Sequence, residues 1–152
     1  MHTFNGDFIV KYNVIKAKTT SRFRRKIDEG FGRYAIQHVG IDGLSEDPIA
    51  FEIRENNTFM GCVAMQMYWG QLHIIYLYVE EGYRDQGLGS TLLNHAITIA
   101  KERGCDFLFL ETMNFEAPLY YQKFGFEVNF IRHGYTKGTS LYYLSKNISD
   151  RH

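Results

Sequence analysis

Apolar and polar positions alternate from Gln71 to Ile74 and pass into an apolar and aromatic run to Val79, which predicts a strand over 71–79. Residues 49–54 and 58–69 have the same character. Asn56-Asn57 between them suits a hairpin turn, and Gly70 turns the second run into the third, so the three form an antiparallel meander. The period then changes. Leu88, Leu92, Leu93, Ala96, Ile97, Ile99 and Ala100 recur at helical spacing within residues 87–103, a stripe that would face a sheet. Lys101 and Arg103 suit the negative end of that helix, and Gly104 is a natural terminator. Residues 106–110 predict a short strand, parallel to 71–79 because a full helix separates the two. A short helix over 115–124 ends at Gly125, and a closing hairpin pairs 126–132 with 139–146. Upstream, residues 8–17 read as a first strand. Thr19, Thr20 and Ser21 are cap residues for a helix starting near Arg22, and 40–48 is a loop.

The most informative stretch lies between the strand 71–79 and the long helix. Arg84-Asp85-Gln86-Gly87-Leu88-Gly89-Ser90 is polar, carries two glycines where the helix opens, and presents several backbone N–H groups to one point. The first N–H groups of a helix have no partner within it, and the helix dipole makes that end positive, so it suits a phosphate or diphosphate. A second reading makes the glycines mere permission for a tight strand-to-helix turn. The loop lacks the Gly-Lys-Ser/Thr ending of a nucleoside-triphosphate loop and the third glycine of a dinucleotide fingerprint. ATP or NAD binding is disfavoured on both counts.

At 152 residues the chain predicts a single domain over 1–152 with room for a real core. Formal net charge is zero, so no overall field draws in nucleic acid or an anionic membrane. The basic cluster Arg22, Arg24, Arg25 and Lys26 reads as the solvated face of the first helix, with Phe23, Ile27 and Phe31 on another. Cys62 and Cys105 form no disulfide framework and no zinc-type spacing, and each reads as a small buried hydrophobe. No export signal and no membrane-length apolar run is visible, which points to a cytoplasmic setting.

Downstream of the short strand, Asn114-Phe115-Glu116-Ala117-Pro118-Leu119-Tyr120-Tyr121-Gln122-Lys123-Phe124-Gly125-Phe126 reads Asn-x-x-Ala-x-x-x-Tyr-x-Lys-x-Gly-Phe. Strand, Arg-x-x-Gly-x-Gly, helix, strand and this segment together closely resemble the GNAT superfamily of acyl-CoA-dependent N-acetyltransferases. The resemblance is specific over about residues 70–130. It implies an α/β (α+β) fold with a mixed, mostly antiparallel central sheet, parallel strands splayed apart in its middle, and flanking helices. It also implies acetyl-CoA as co-substrate, with no metal. The pantetheine arm would pair with the backbone of Leu77, Tyr78 and Val79, and N–H groups of Arg84, Asp85, Gln86, Gly87, Leu88, Gly89 and Ser90 would hold the diphosphate. Asp85 must then turn its carboxylate away from the anion. Asn114 matches a CoA-contacting asparagine, although capping the following helix is an equal alternative.

Acetyl transfer to nitrogen needs a base, an oxyanion donor and help for the leaving thiolate. Tyr121 matches the tyrosine the family uses as that acid, whereas Tyr120 reads as the core-packed neighbour. His73 is the first choice of base and Glu111 the second, with a water relay as the alternative. Strand alternation would put His73 on one face with Ile75, Leu77 and Val79. The acceptor, a small-molecule or peptide amine, would meet the first helix, the loop 40–48 and the closing hairpin with Tyr135, Tyr142 and Tyr143. Glu46, Asp47 or Glu52 could attract its charge. Analogy with the family implies a homodimer through the hairpin or a strand edge. A non-catalytic acyl-CoA-binding regulatory module is the competing function, and the Tyr121 phenol argues against it.

Overall fold

The computed structural model describes residues 11–150. Its centre is a six-stranded sheet built from β1 (Ile49–Glu55), β2 (Thr58–Tyr68), β3 (Gln71–Val79), β4 (Phe107–Met113), β5 (Glu127–Arg132) and β6 (Leu141–Asn147). The spatial order is β1-β2-β3-β4-β6-β5, antiparallel at every pair except β3 and β4, which run parallel. Both tight turns of the meander use left-handed residues, Asn56 and Asn57 in the first, Trp69 and Gly70 in the second. That geometry matches the twist of the flanking strands.

Helix α2 (Leu88–Glu102) connects the two parallel strands and packs on β2 and β3. Its Leu92, Leu93, Ala96 and Ala100 are buried against Val63, Met65, Leu72, Ile74, Leu108 and Leu110. The predicted stripe is therefore the core face. Helix α3 (Pro118–Lys123) adds Tyr121 to the same cluster, and Phe126 follows it in. Cys105 is buried with this cluster, whereas Cys62 on β2 is only half-buried.

The N-terminal part departs from expectation. Of the strand expected over 8–17, residues 8–10 lie outside the described residues and 11–17 carry no strand. Tyr12, Val14 and Ile15 are exposed there. Strand propensity expresses fit to a neighbouring strand, and among the described residues the sheet order begins at β1 with no strand paired beyond it. Helix α1 (Ser21–Val39) starts where the cap residues put it, Thr20 Oγ1 accepting from Phe23 N at 3.1 Å. It buries only Gly32, beside the Asp42 carboxylate, and leaves Phe23, Ile27, Phe31 and Tyr34 exposed along with its basic face.

Candidate active site

The parallel pairing of β3 with β4 is confined to Leu72 opposite Leu108 and His73 opposite Phe109. Beyond those pairs β3 keeps β2 on its outer side and β4 keeps β6 on its own. The inner edges of the two strands diverge and share no ladder. Free N–H and C=O groups on a strand edge form a template for any extended chain that carries amides. Leu77, Tyr78 and Val79 lie along that edge of β3. One carbonyl there is already engaged, because Arg84 Nε donates to Val79 O at 3.0 Å. The Arg84 side chain thus braces the loop to the strand.

A single 3-10 turn, Glu81–Tyr83, carries the chain from β3 into the glycine loop. Asp85 has φ 62° and Gly87 φ 81°, so the backbone reverses hand twice within three residues, a geometry that gathers N–H groups into an anion-binding hollow. Gly87 is the N-cap of α2 and offers no side-chain cap. The first helical bond runs from Thr91 N to Gly87 O at 3.0 Å, so the N–H groups of Leu88, Gly89 and Ser90 precede the ladder. A Cβ on Gly87 would meet open space, so it is the positive φ that calls for glycine there. At Gly89 an added Cβ would sit in ordinary contact, 3.4 Å from Tyr120 Oη and 4.0 Å from Val79 Cγ2. Gln86 and Asp85 are exposed.

The face assignment of His73 differs from simple alternation. Ala64 pairs with Tyr76 but Met65 pairs with Ile74, so Ile75 is an extra residue on β3, a β-bulge. Before it Leu72 and Ile74 face the core, and after it Leu77 and Val79 do. His73 therefore lies on the opposite face from Leu77 and Val79, and shares it with Tyr76 and Tyr78. Glu111 reaches that same face from β4, because β4 runs three residues further than expected and alternates Phe107, Phe109 and Glu111 against buried Leu108, Leu110 and Thr112. The two candidate bases meet. His73 Nε2 lies 2.7 Å from Glu111 Oε2, and the imidazole stacks on Phe109 with centroids 4.5 Å apart and planes 5° from parallel. A carboxylate can only accept, so Nε2 donates to it, and in the neutral imidazole that leaves a lone pair on Nδ1. Phe109 was not singled out by sequence, although its place two residues before Glu111 would have put it beneath the pair.

Tyr120, expected to be the core-packed neighbour, is the more exposed of the two tyrosines. Tyr121 is 7% exposed, packed edge-on to Phe126 and Tyr120, and burial, reinforced by Tyr120 and Glu116, pushes its phenol up to about 12. Tyr120 is the exposed one, and its hydroxyl lies 2.9 Å from Ser90 Oγ. Asn114 does not cap α3, whose N-cap is Ala117 without a side-chain bond. Its Oδ1 instead accepts from Ser140 N at 3.0 Å, while its own N–H donates to Ser140 O at 2.9 Å, which fixes the end of β4 to the start of β6. Tyr78 Oη donates to Glu80 Oε2 at 3.1 Å, and that bond raises its pKa.

On the acceptor side, Tyr143 lines a cavity of about 340 Å³ with Phe109, Phe107 and Asn129, whereas Tyr142 packs against the core and Tyr135 is exposed. A larger groove of about 1090 Å³ runs between α1, the loop after it and the Tyr68-Trp69 turn. Tyr68 meets Phe109 edge-on, so this groove adjoins the His73–Glu111 pair. Two of the carboxylates expected to draw in a cation already hold arginines: Glu46 holds Arg103 at 2.5 Å and Glu52 holds Arg54 at 2.6 Å. Asp47 lines the groove. Among the described residues no helix is long and apolar enough to cross a membrane.

Known proteins resemble the chain throughout this region. A family model described as the acetyltransferase (GNAT) family matches residues 18–126. Blasticidin-S acetyltransferase of Streptomyces morookaense is 33% identical over 95 residues, 62% of this chain and 70% of that protein. The crystal structure of an acetyltransferase from Bacillus cereus is 27% identical, with a TM-score of 0.75 over 90% of this chain and 98% of that one. A GNAT family acetyltransferase from Elizabethkingia anophelis, solved with acetyl-CoA bound, is 26% identical, with a TM-score of 0.58 over 65% and 75% of the two chains. Kinship over most of the sequence thus coincides with a split parallel pair that feeds an uncapped helix: the chain belongs to the GNAT family of acetyl-CoA-dependent acetyltransferases.

Proposed function

We propose that the protein transfers the acetyl group of acetyl-CoA to a primary amine of a small molecule or peptide, by direct attack within a ternary complex. The observation that carries this reading is the His73–Glu111 pair, set where β3 and β4 separate and beside an open groove. In this reading the backbone of Leu77, Tyr78 and Val79 pairs with pantetheine, the N–H groups of residues 84–90 hold the diphosphate, and the Asn114 amide borders the same gap. The relative named for blasticidin-S favours a small-molecule acceptor.

An alkyl amine reaches the site as ammonium, with a pKa of about 10.4, and must lose a proton before it attacks. His73 Nδ1 takes that proton while Glu111 holds the imidazole in the right tautomer and stabilises the imidazolium. The nitrogen lone pair then forms the C–N bond at the thioester carbonyl. A strand N–H near Val79 donates to the oxyanion, the C–S bond breaks, and the second nitrogen proton leaves to His73 Nδ1 once the imidazolium has passed the first to water. Tyr121 donates a hydrogen bond to the departing sulfur. Full proton transfer from a phenol near 12 to a thiolate whose parent thiol is near 8.5 would be uphill by about 5 kcal/mol. The phenol therefore acts by stabilising developing charge, and the sulfur leaves as thiolate.

Thiol release from acetyl-CoA across a panel of amines, wild type against His73→Gln, tests the proposal. Turnover with at least one small amine, lost in the variant while CoA affinity is kept, is the expected result. CoA binding without turnover on any amine would instead favour a regulatory acyl-CoA sensor.

A further inference from the structure

We infer that Tyr120 and Ser90 form a hydroxyl pair that supplies a side-chain hydrogen bond to the coenzyme diphosphate and ties the helix carrying Tyr121 to it; the inference rests on the function proposed above. Ser90 is the third residue of α2, so its Oγ stands in the first turn beside the N–H groups that precede the ladder. Tyr120 Oη lies 2.9 Å from it, reaching across from α3. Two hydroxyls hold two hydrogens, and one of them bridges the pair. Among the described residues neither oxygen has a further hydrogen-bond partner, so the second hydrogen remains available at the positive end of the helix. An anion there would accept it, and a hydrogen bond to a charged acceptor is stronger than one between neutral groups.

The approach is built into neighbouring residues. Gly89 lies beside the contact: a Cβ added there would sit 3.4 Å from the Tyr120 oxygen, an ordinary van der Waals distance. Tyr120 also rests against Phe124 and Tyr121, ring centroids 6.0 Å and 5.5 Å away. The phenol that touches the loop is therefore in contact with the phenol that faces the chemistry, and a fixed diphosphate would set the position of both.

The test compares acetyl-CoA with S-acetylpantetheine, which carries the same thioester and lacks the diphosphate. Tyr120→Phe removes one oxygen and keeps the ring; Ser90→Ala removes the other. Each is expected to raise KM for acetyl-CoA and Kd for CoA about tenfold. Rates with S-acetylpantetheine should change less than twofold, and the double variant should be no worse than either single one. Equal losses with both thioesters would overturn the inference, since that is what a packing role produces. Unchanged CoA affinity in both variants would overturn it too. A wild-type protein that turns over S-acetylpantetheine as well as acetyl-CoA and binds no CoA would remove the diphosphate site itself and the inference with it.

Discussion

Replacing Tyr121 by Phe deletes a single oxygen from the core and separates two roles of that residue. In the folded protein burial raises the phenol from 10.0 to about 12. The unfolded chain has no such environment. A folded-state pKa above the unfolded one means that the stabilisation is fully present below pH 10 and is lost as pH climbs towards 12. A shift of about two units is worth on the order of 3 kcal/mol, of which roughly half is lost by pH 11 and more by pH 11.5. The chain has 11 tyrosines, so the assay must be differential: urea unfolding of wild type and Tyr121→Phe at pH 9, 10, 11 and 11.5. Wild type should lose that much more than the variant over the interval, while the other ten titrate alike in both. Parallel curves would refute the claim that this phenol is held protonated by burial. At pH 8 the same variant should lose kcat about ten- to hundredfold, the worth of a hydrogen bond to a developing charge, with CoA affinity intact. An unchanged kcat would end the role given to it at the sulfur.

Glu111→Gln keeps the bond to His73 but removes the charge that stabilises the imidazolium. Its kcat should fall about tenfold and His73→Gln about a hundredfold, measured by thiol release; losses under threefold in both would hand proton removal to water. Gly61→Ala would place a Cβ 2.7 Å from the Tyr78 carbonyl, backbone that cannot swing aside, so thermal unfolding should show about 1–3 kcal/mol of destabilisation together with a raised KM for acetyl-CoA. Gly87→Ala has room for its methyl but must hold φ near 81°, and should cost about 1–2 kcal/mol in the same assay. Leu93→Ala, wholly buried between α2 and the sheet, should cost about 2–5 kcal/mol and lower the urea midpoint without altering KM.

Local signals carried most of the fold. Period, turn residues and caps located α2, the meander and the closing hairpin, because each is decided by side chains within a few residues of one another. The glycine loop was legible for the same reason, since a strand, two glycines and an amphipathic helix lie in direct succession. Readings that depended on distant partners fared differently. Nothing in residues 11–17 discloses whether a neighbouring strand exists to receive them. The exposure of Tyr120 and the burial of Tyr121 depend on how α3 meets α2, which two adjacent tyrosines do not encode. The meeting of His73 with Glu111 was hidden by an extra three residues of β4 and by the displaced register of β3. Both candidates were visible, but their contact was not.

The single unmatched residue at Ile75 has a consequence for how the chain can change. Deleting it would set Tyr76 directly after Ile74, and alternation would run unbroken with Leu72, Ile74, Leu77 and Val79 inward and His73, Tyr76 and Tyr78 outward, as they already stand. No side chain would change face, so the interior would outlast the loss. What would go is the bend and added twist that an extra residue gives its strand, and this one sits just past the last β3–β4 pair, His73 opposite Phe109. Shortening the strand there would alter how its free edge is presented to a guest chain while leaving the hydrocarbon interior as it is.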